Sequence, residues 1–244
     1  MSAPLVPFAP FGIFVTGTDT GVGKTRVSAA LLHALAKHYP RVVGMKPIAA
    51  GTELINGVLA NEDVLALRAA STVQVPAALD NPVLLPDPLS PHLAAQRAGV
   101  RITVAQLLAA YQTLCTQADA VVVEGAGGFL VPLSDTENGA DLARALALPV
   151  VLVVGLRLGC LNHALLTAQA IAAAGLPLAG WIANHIDPTM QAQADNIAYL
   201  QQQLHTRYQA PLLATVPYQP DPDVNTIQIS LLPSWNMRKQ LSKS

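Results

Sequence analysis

Charged side chains are scarce in this 244-residue chain. Asp, Glu, Lys and Arg make up 12% of it, and the net charge is −1, whereas globular proteins usually carry about 25% charged residues. No run of Lys or Arg occurs, so electrostatics give no support for binding to nucleic acid or to an anionic membrane. We therefore expect neither as a partner.

Cysteine is scarce as well. Cys115 and Cys160 lack the spacing of a zinc site, and the six histidines show no paired metal spacing. A reduced compartment accounts for both thiols, so we expect a cytoplasmic protein. Residues 1–18 carry no charge, but they lack a basic leader and contain three prolines, which argues against a signal peptide.

Long apolar runs and two common catalytic signatures are missing. The stretch 158–186 carries no Asp, Glu, Lys or Arg, but Gly, Pro, Asn and Gln interrupt it. It therefore falls short of the ~20 continuous apolar residues that a membrane span needs. The dehydrogenase fingerprint G-x-G-x-x-G and the nucleophile elbow G-x-S-x-G are both absent.

Short continuous apolar runs recur instead, and helical segments separate them. Such runs are typical of parallel strands that are buried on both faces. The predicted strands are 13–16, 42–45, 120–123, 150–154, 178–183 and 212–215, and the predicted helices 24–37, 103–117, 160–174 and 188–208. The pattern predicts an α/β fold with a doubly wound, mainly parallel sheet flanked by helices.

One domain accounts for the whole pattern. No internal repeat occurs, and the proline-rich stretch 75–91 is predicted to be a loop because periodic segments resume on both sides. We expect a single domain over residues 1–244, with a core of about 12–217. The stretch after Pro217 is rich in Pro and Asp and is predicted to be a surface loop.

The stretch FVTGTDTGVGKT follows a predicted strand directly and leads into a helix. A usual phosphate loop reads G-x-x-x-x-G-K-[ST], but here five residues separate Gly17 from Gly23, so the strict pattern fails. Backbone N–H groups of residues 21–25 are still expected to face phosphate oxygens at a helix N-terminus. Lys24 would bridge the terminal phosphates of ATP, and the Thr25 hydroxyl would join the Mg²⁺ shell. The alternative is a glycine-rich turn with an exposed lysine.

Lys46 and Glu124 are predicted to lie near the same edge of the sheet, and Asp63 is a weaker candidate. Lys46 follows the second predicted strand in a chain with only five lysines, although it could be a solvated strand end. Glu124 terminates another apolar strand before a glycine-rich turn, where a carboxylate would complete a magnesium shell. The alternative for Glu124 is an exposed residue on that turn. Asp63, taken alone, is only a favourable charge at a helix start.

Six motifs occur in the order found in dethiobiotin synthetases. They are GTDTGVGKT, KPIAAG, NEDVLAL, SPHLAA, VVVEGAGGFLVPLSD and LGCLNHALLTAQAI. The chain resembles that family from about residue 14 to 217, including the five-residue spacing in the phosphate loop. The resemblance implies a P-loop NTPase-like, MgATP-dependent cyclo-ligase of biotin biosynthesis. It would convert diaminopelargonic acid and CO₂ (or bicarbonate) to dethiobiotin.

The resemblance also implies roles for individual residues. Lys24 and Lys46 would be catalytic, as a clamp on carbamate and phosphoryl oxygens. The implied metal residues are Thr25, Asp63 and Glu124. The implied nucleotide-binding residues are Gly21, Val22, Gly23, Lys24, Thr25, Arg26, Asp63, Glu124, Gly125, Ala126, Gly127, Asn184 and Pro217.

A second set of residues is implied to bind substrate. In the family, the amides of the GCLN segment receive the substrate carboxylate of the partner subunit, which implies a homodimer with interfacial sites. The implied substrate-binding residues are Ala50, Gly159, Cys160, Leu161 and Asn162. Two positions depart from the family pattern: Gly21 replaces an acidic residue of some members, and Ala50 stands where a hydroxyl residue is common.

Three alternatives remain open at this point. One is another ligase of the same scaffold, such as a cobyrinate amide synthetase without its glutaminase domain. Another is a ParA/MinD-like ATPase switch, although that group usually has a second lysine early in the loop, where this chain has Asp19 and Thr20. The third is a catalytically inactive binding module. Phosphate release that depends on diaminopelargonate and bicarbonate would separate the ligase from the switch.

Overall fold

The computed structural model describes residues 10–55, 57–219 and 224–235, which form an α/β structure. The strands are β1 (Phe11–Gly17), β2 (Val42–Met45), β3 (Ile48–Ala50), β4 (Glu53–Ile55), β5 (Val58–Ala60), β6 (Val83–Leu85), β7 (Ala120–Gly128), β8 (Val150–Leu156), β9 (Leu178–His185) and β10 (Leu212–Val216). The α-helices are α1 (Lys24–Ala36), α2 (Glu62–Ala70), α3 (Ala77–Asp80), α4 (Pro91–Ala98), α5 (Val104–Leu114), α6 (Gly139–Leu146), α7 (Cys160–Ala173) and α8 (Gln193–Tyr208).

Six strands form a central sheet in the order β10-β9-β8-β1-β7-β2, and every neighbouring pair in it is parallel. The predicted mainly parallel α/β sheet is therefore confirmed. Because β1, β7 and β2 are neighbours, the chain segments that leave their carboxyl ends lie side by side. Ligands of such sheets bind at this edge.

Both faces of the central sheet are buried, because the continuous apolar strands send alternate side chains to opposite sides. In β1, Ile13 and Val15 pack into one hydrophobic cluster, which includes Val122 of β7. Phe14 points to the other face and packs into a second cluster with Val123. This double burial holds the loop after β1 between two packed layers.

Two sequence predictions need correction. Residues 75–91 are not a simple loop, because they contain α3 and β6, and β6 pairs with β3 outside the central sheet. Glu124 does not terminate its strand: β7 continues to Gly128, and its pairing with β1 is irregular beyond Val15. A Cβ at Gly125 would lie 3.0 Å from the Phe14 ring, so glycine permits the close packing there.

The C-terminal segment lies against α1 and the sheet edge. Ser230 N–H donates to the Leu213 carbonyl (2.9 Å), and the Tyr39 hydroxyl donates to the Trp235 carbonyl (2.6 Å). The surface loop predicted after Pro217 lies partly outside the described residues. Residues 1–9 lie wholly outside them. Within the described ranges, no helix has the length and hydropathy to cross a membrane. The single-domain prediction stays a prediction.

Candidate active site

Side chains that are far apart in sequence meet at the carboxyl edge of the sheet. Lys46 follows β2, Glu124 belongs to β7, and Asp63 lies in the first turn of α2. Lys46 and Glu124 are 78 positions apart, yet the Lys46 Nζ donates to Glu124 Oε1 at 2.5 Å. The sheet order, with β7 next to β2, produces this contact.

The loop between β1 and α1 has the backbone of a phosphate loop. Gly21 and Gly23 both have left-handed φ angles, 73° and 87°, which favour glycine. A Cβ at Gly23 would lie 2.2 Å from Asn184 Nδ2, whereas one at Gly21 would meet nothing within 4 Å. Gly23 is the N-cap of α1, and no acidic residue lies in the first turn. The first N–H groups of the helix therefore suit an anion.

Lys24 is held close to this loop. Its side chain is 6% exposed, and its Nζ donates to the Asp19 backbone carbonyl at 3.0 Å. Burial, reinforced by the positive charge of Lys46, lowers the pKa of Lys24 to about 8. Lys24 and Lys46 both line the same cleft.

Lys46 bridges the two carboxylates of the site. Its Nζ donates to Asp63 Oδ2 (2.8 Å) and to Glu124 Oε1 (2.5 Å). The Thr25 hydroxyl lies within hydrogen-bond distance of the same two residues, 2.5 Å from Asp63 Oδ1 and 2.9 Å from Glu124 Oε1. Glu124 is fully buried and Lys46 is 5% exposed. The four side chains thus form one cluster of ion pairs and hydrogen bonds.

Lys46 and Asp63 keep their charges despite their burial. Burial lowers the pKa of Lys46, but the negative charges of Glu124 and Asp63 outweigh it, so the pKa lies above the usual value. For Asp63, burial raises the pKa, but the Lys46 ammonium outweighs that effect and the pKa is lowered. Lys46 and Asp63 therefore stabilise each other's charged form.

The oxygen atoms of the cluster fit a magnesium ion that binds together with a nucleotide. No group of three or more His, Cys, Asp or Glu side chains suited to a metal occurs in the part of the chain that the structure describes. Mg²⁺, however, commonly takes one or two carboxylates and completes its shell with phosphate and water oxygens. Glu124 Oε2 is buried and has no hydrogen-bond partner among the described residues, so one carboxylate oxygen is free to accept a ligand.

A cleft of about 790 Å³ opens over the cluster, within the range of about 300–1,000 Å³ typical of small-molecule sites. Lys24, Lys46, Thr25 and Asp63 all border it. Of the other predicted residues, it is lined by Gly21, Gly23, Arg26, Ala50, Ala126 and Gly127. The structure thus brings both clamp lysines and two of the three predicted metal residues to one cavity, with Glu124 directly behind them.

One wall of the cleft was not identified as a site from the sequence. It consists of residues 88–91, which lead into α4. Ser90 Oγ lies 3.0 Å from His92 Nδ1. The SPHLAA motif contains both residues and is the sequence feature that could have indicated this wall. Nothing in its composition, however, indicates which ligand it faces.

The residues predicted to bind adenine lie beside the loop. Asn184 Nδ2 donates to the Val22 carbonyl at 2.8 Å, and its Oδ1 is buried without a hydrogen-bond partner among the described residues. Pro217 borders a separate depression of about 410 Å³ at the end of β10. Arg26 Nη2 donates to Gln219 Oε1 at 2.7 Å. Asn184 and Pro217 thus lie outside the main cleft, whereas Arg26, in the first turn of α1, lines it.

The GCLN segment does not line the main cleft. It forms the N-terminus of α7, where Gly159 is the N-cap with φ 94° and Cys160 is buried. The preceding Leu158 is 95% exposed. Arg157 pairs with Asp19 of the phosphate loop, a contact that sequence reasoning missed because neither motif predicts it. Gly159 and Asn162 are thus exposed in the single chain, whereas Cys160 is buried.

The all-parallel sheet and the glycine loop that opens α1 define a P-loop nucleotide-binding protein. An AAA domain family model (AAA_26) matches residues 12–226. The fold is similar to MinD in the MinC:MinD complex of Aquifex aeolicus (TM-score 0.52, 17% identity, 96% of this chain and 97% of that chain covered). It is also similar to MinD with Mg-ADP from Pyrococcus horikoshii (TM-score 0.52, 19% identity, 86% and 82% covered). The chain spans 64% of the longer FtsY from Elizabethkingia anophelis (TM-score 0.48, 16% identity).

Sequence similarity narrows this class. The chain is 59% identical over 213 residues to the ATP-dependent dethiobiotin synthetase BioD of Ralstonia nicotianae, which covers 87% of this chain and 91% of that protein. The chain therefore belongs to the dethiobiotin synthetase family, a family of ATP-dependent ligases. The family and the enzyme class predicted from the motifs are confirmed.

The two loop glycines form a matched pair for testing the nucleotide site. Gly21→Ala should cost about 1–2 kcal/mol for the left-handed backbone alone. Gly23→Ala should cost more, because its Cβ must also displace Asn184. The measurements are affinity for a non-hydrolysable ATP analogue and urea unfolding of both variants. Equal losses of affinity and of stability in the two variants would show that the contact with Asn184 does not shape the loop.

The lowered pKa of Lys24 predicts a pH dependence of nucleotide binding. Phosphate attracts only the charged ammonium, so affinity in EDTA should fall as the pH rises through about 8. The slope should approach about tenfold per pH unit above that value. Titration calorimetry with ADP measures it, and Lys24→Arg, which stays charged, should flatten the profile. A wild-type profile as flat as that of the arginine variant contradicts the prediction.

Proposed function

We propose that this chain catalyses the ATP-dependent carboxylation and ring closure of 7,8-diaminopelargonic acid with CO₂, giving dethiobiotin, ADP and phosphate. Membership of the dethiobiotin synthetase family supports the overall reaction. The observation that carries the assignment of residues is that Lys24 and Lys46 border one cleft together with Thr25 and Asp63.

The reaction would proceed in three steps. One amine of the diamine adds to CO₂ and releases a proton, which gives a carbamate. A carbamate oxygen attacks the γ-phosphorus of ATP, and the bond from that phosphorus to the ADP oxygen breaks. The product is a carbamic–phosphoric anhydride. The second amine then attacks its carbonyl carbon and loses a proton, while phosphate leaves with the electron pair of the broken C–O bond.

Negative charge collects on the carbamate and on the transferred phosphoryl group, and two ammonium groups lie where they can hold both. Lys24 would exchange the Asp19 carbonyl for phosphate oxygens, and Lys46 would orient the carbamate. Chemistry of this kind depends on positioning and on fixed positive charge more than on a strong base. The amides of residues 21–25 would support the phosphates from the start of α1.

Thr25, Asp63 and Glu124 would hold a magnesium ion, which neutralises phosphate charge when bound. Their oxygens converge, and Glu124 Oε2 is unpartnered among the described residues. Val22, Arg26 and residues 125–127 would surround the phosphates. Asn184 and Pro217 would contact the adenine, because the unpartnered Asn184 Oδ1 can accept a hydrogen bond from its amino group.

The N-terminus of α7 supports a homodimer with interfacial sites. Gly159 ends an exposed turn, Leu158 is 95% exposed and Leu166 is 57% exposed, so this end of α7 presents an apolar surface. In a dimer, the amides of residues 159–162 would bind the distal carboxylate of the substrate in the neighbouring cleft. Ala50 at the cleft wall would contact the substrate without a hydroxyl hydrogen bond.

The setting of the reaction follows from the same considerations. Residues 1–244 would act as a single ligase domain, since the family model spans 12–226. Cys115 and Cys160 are both free, as expected in a reducing compartment. We place the enzyme in the cytoplasm.

The activity test is dethiobiotin formation together with phosphate release from ATP. Both should require diaminopelargonate and bicarbonate. Lys46→Met should lower kcat by about a thousandfold, because fixed charge at the reacting groups is lost. Lys37→Met, at the exposed position directly after α1, is the matched control and should stay near wild type. ATP hydrolysis that ignores the diamine would instead indicate an ATPase switch.

Complementation between two inactive variants tests the interfacial site. Asn162→Asp adds a negative charge that suits the start of α7 but repels a substrate carboxylate, and Lys46→Met disables the cleft. Each variant alone should be nearly inactive. A statistical mixture of their subunits should recover about a quarter of the wild-type activity, because half of the dimers are mixed and each has one intact site. A mixture as inactive as its parents places the whole site in one chain.

A further inference from the structure

In the described structure, the Lys46 ammonium lies where the proposed metal ligands converge. It contacts Asp63 Oδ2 at 2.8 Å and Glu124 Oε1 at 2.5 Å. The Thr25 hydroxyl lies against the remaining Asp63 oxygen and Glu124 Oε1. Three of the four carboxylate oxygens are therefore already engaged, and the fourth, Glu124 Oε2, is buried.

We propose that Lys46 is the resident cation of the ligand-free site and excludes divalent metal until a triphosphate is bound. The metal then enters only together with the nucleotide, and its entry releases Lys46 into the cleft. This inference rests on the proposed function, because it assigns Thr25, Asp63 and Glu124 to the metal of that reaction.

Charge balance supports the exclusion. Lys24 and Lys46 both interact electrostatically with Asp63 and Glu124. Asp19 also acts on Lys24, but it is paired with Arg157, so the positive and negative charges are equal in number. A divalent ion added to this balanced, largely buried cluster would meet a neighbouring ammonium with no anion to compensate it. The carboxylates alone thus lack the excess negative charge that attracts a metal ion.

The hydrogen bonds of Thr25 support the same conclusion. The Thr25 hydroxyl has one proton and lies between two carboxylate oxygens, so it donates to one of them, with the shorter distance to Asp63 Oδ1. As a metal ligand it would have to turn a lone pair toward the ion and its proton away. Lys46 must also leave the space between the two carboxylates. Both rearrangements are needed before the oxygens can surround a metal.

A triphosphate changes this balance at the cleft. Its oxygens supply acceptors for the Lys46 ammonium and further ligands for the metal, and Lys46 already lines that cavity. Asp63 is the partly exposed carboxylate of the cluster, with 41% of its side chain accessible, so it faces the incoming ion. Lys46 thereby exchanges one set of anions for another, and its release delivers a positive charge to the substrates.

The test is binding of Mn²⁺, counted by the EPR signal of the free ion, to nucleotide-free protein. The wild type should bind it weakly, whereas Lys46→Met should bind one ion at least about tenfold more tightly, as expected when a neighbouring positive charge is removed. Lys37→Met controls for the loss of overall charge and should resemble the wild type. Lys46→Met/Asp63→Asn should lose the added site.

Two further measurements test the proposal even if the Lys46→Met variant does not fold. The wild type should bind one Mn²⁺ tightly once a non-hydrolysable ATP analogue is present, and only weakly before. Lys46→Arg keeps the charge and should show no gain in nucleotide-free binding. Wild-type protein that binds Mn²⁺ equally well with and without the analogue overturns the proposal.

Failure of the resident-cation proposal can be distinguished from failure of the proposed function. Tight Mn²⁺ binding by the nucleotide-free wild type, in a protein that makes dethiobiotin, removes the resident-cation proposal and leaves the ligase. Nucleotide-dependent Mn²⁺ binding without any dethiobiotin formation removes the ligase and leaves the exclusion of metal by Lys46.

Discussion

The Lys46 ammonium joins two carboxylates at the buried carboxyl edge of the sheet. Glu124 is fully buried on β7, and without a positive partner its charge would be strongly unfavourable there. Removing one member of such a buried pair typically costs about 3–5 kcal/mol. The pair therefore ties β2, β7 and the start of α2 together at the place where substrates are proposed to bind. Stability and site geometry depend on the same contact.

The parallel sheet makes this contact possible. β1, β7 and β2 are neighbours, so the phosphate loop, Glu124 and Lys46 emerge at one edge although long stretches of chain separate them. Lys24 is buried next to Lys46, and each raises the electrostatic cost of the other's charge. A ligand with several negative charges relieves this repulsion. This arrangement supports the proposal that a triphosphate binds in the cleft.

Sequence patterns were sufficient for the central sheet, because strands that are buried on both faces leave continuous apolar runs. They were insufficient for β3–β6 and β4–β5, whose three-residue strands are too short to show a period. Glu124 was placed at a strand end because glycines follow it, yet those glycines permit β7 to continue in close contact with β1. Local composition does not distinguish a glycine-rich turn from a glycine-rich strand.

The members of the cluster could be named from the sequence, but their contacts could not. The loop, the position of Lys46 and the VEGAGG motif indicated residues that the structure brings to one edge of the sheet. The ion pairs of Lys46 and the pairing of Arg157 with Asp19 join segments that no local pattern relates. Such contacts depend on strand order and on side-chain burial, which only the folded structure provides.

The central claim is that Lys24 and Lys46 act on one magnesium-bound triphosphate at this edge. A crystal structure with a non-hydrolysable ATP analogue, Mg²⁺ and the diamine tests it most directly. The account predicts that both ammonium groups lie within hydrogen-bond distance of the terminal phosphate or the bound substrate, with Thr25, Asp63 and Glu124 around the metal. A triphosphate that lies elsewhere, or that leaves Lys46 between the two carboxylates, contradicts it.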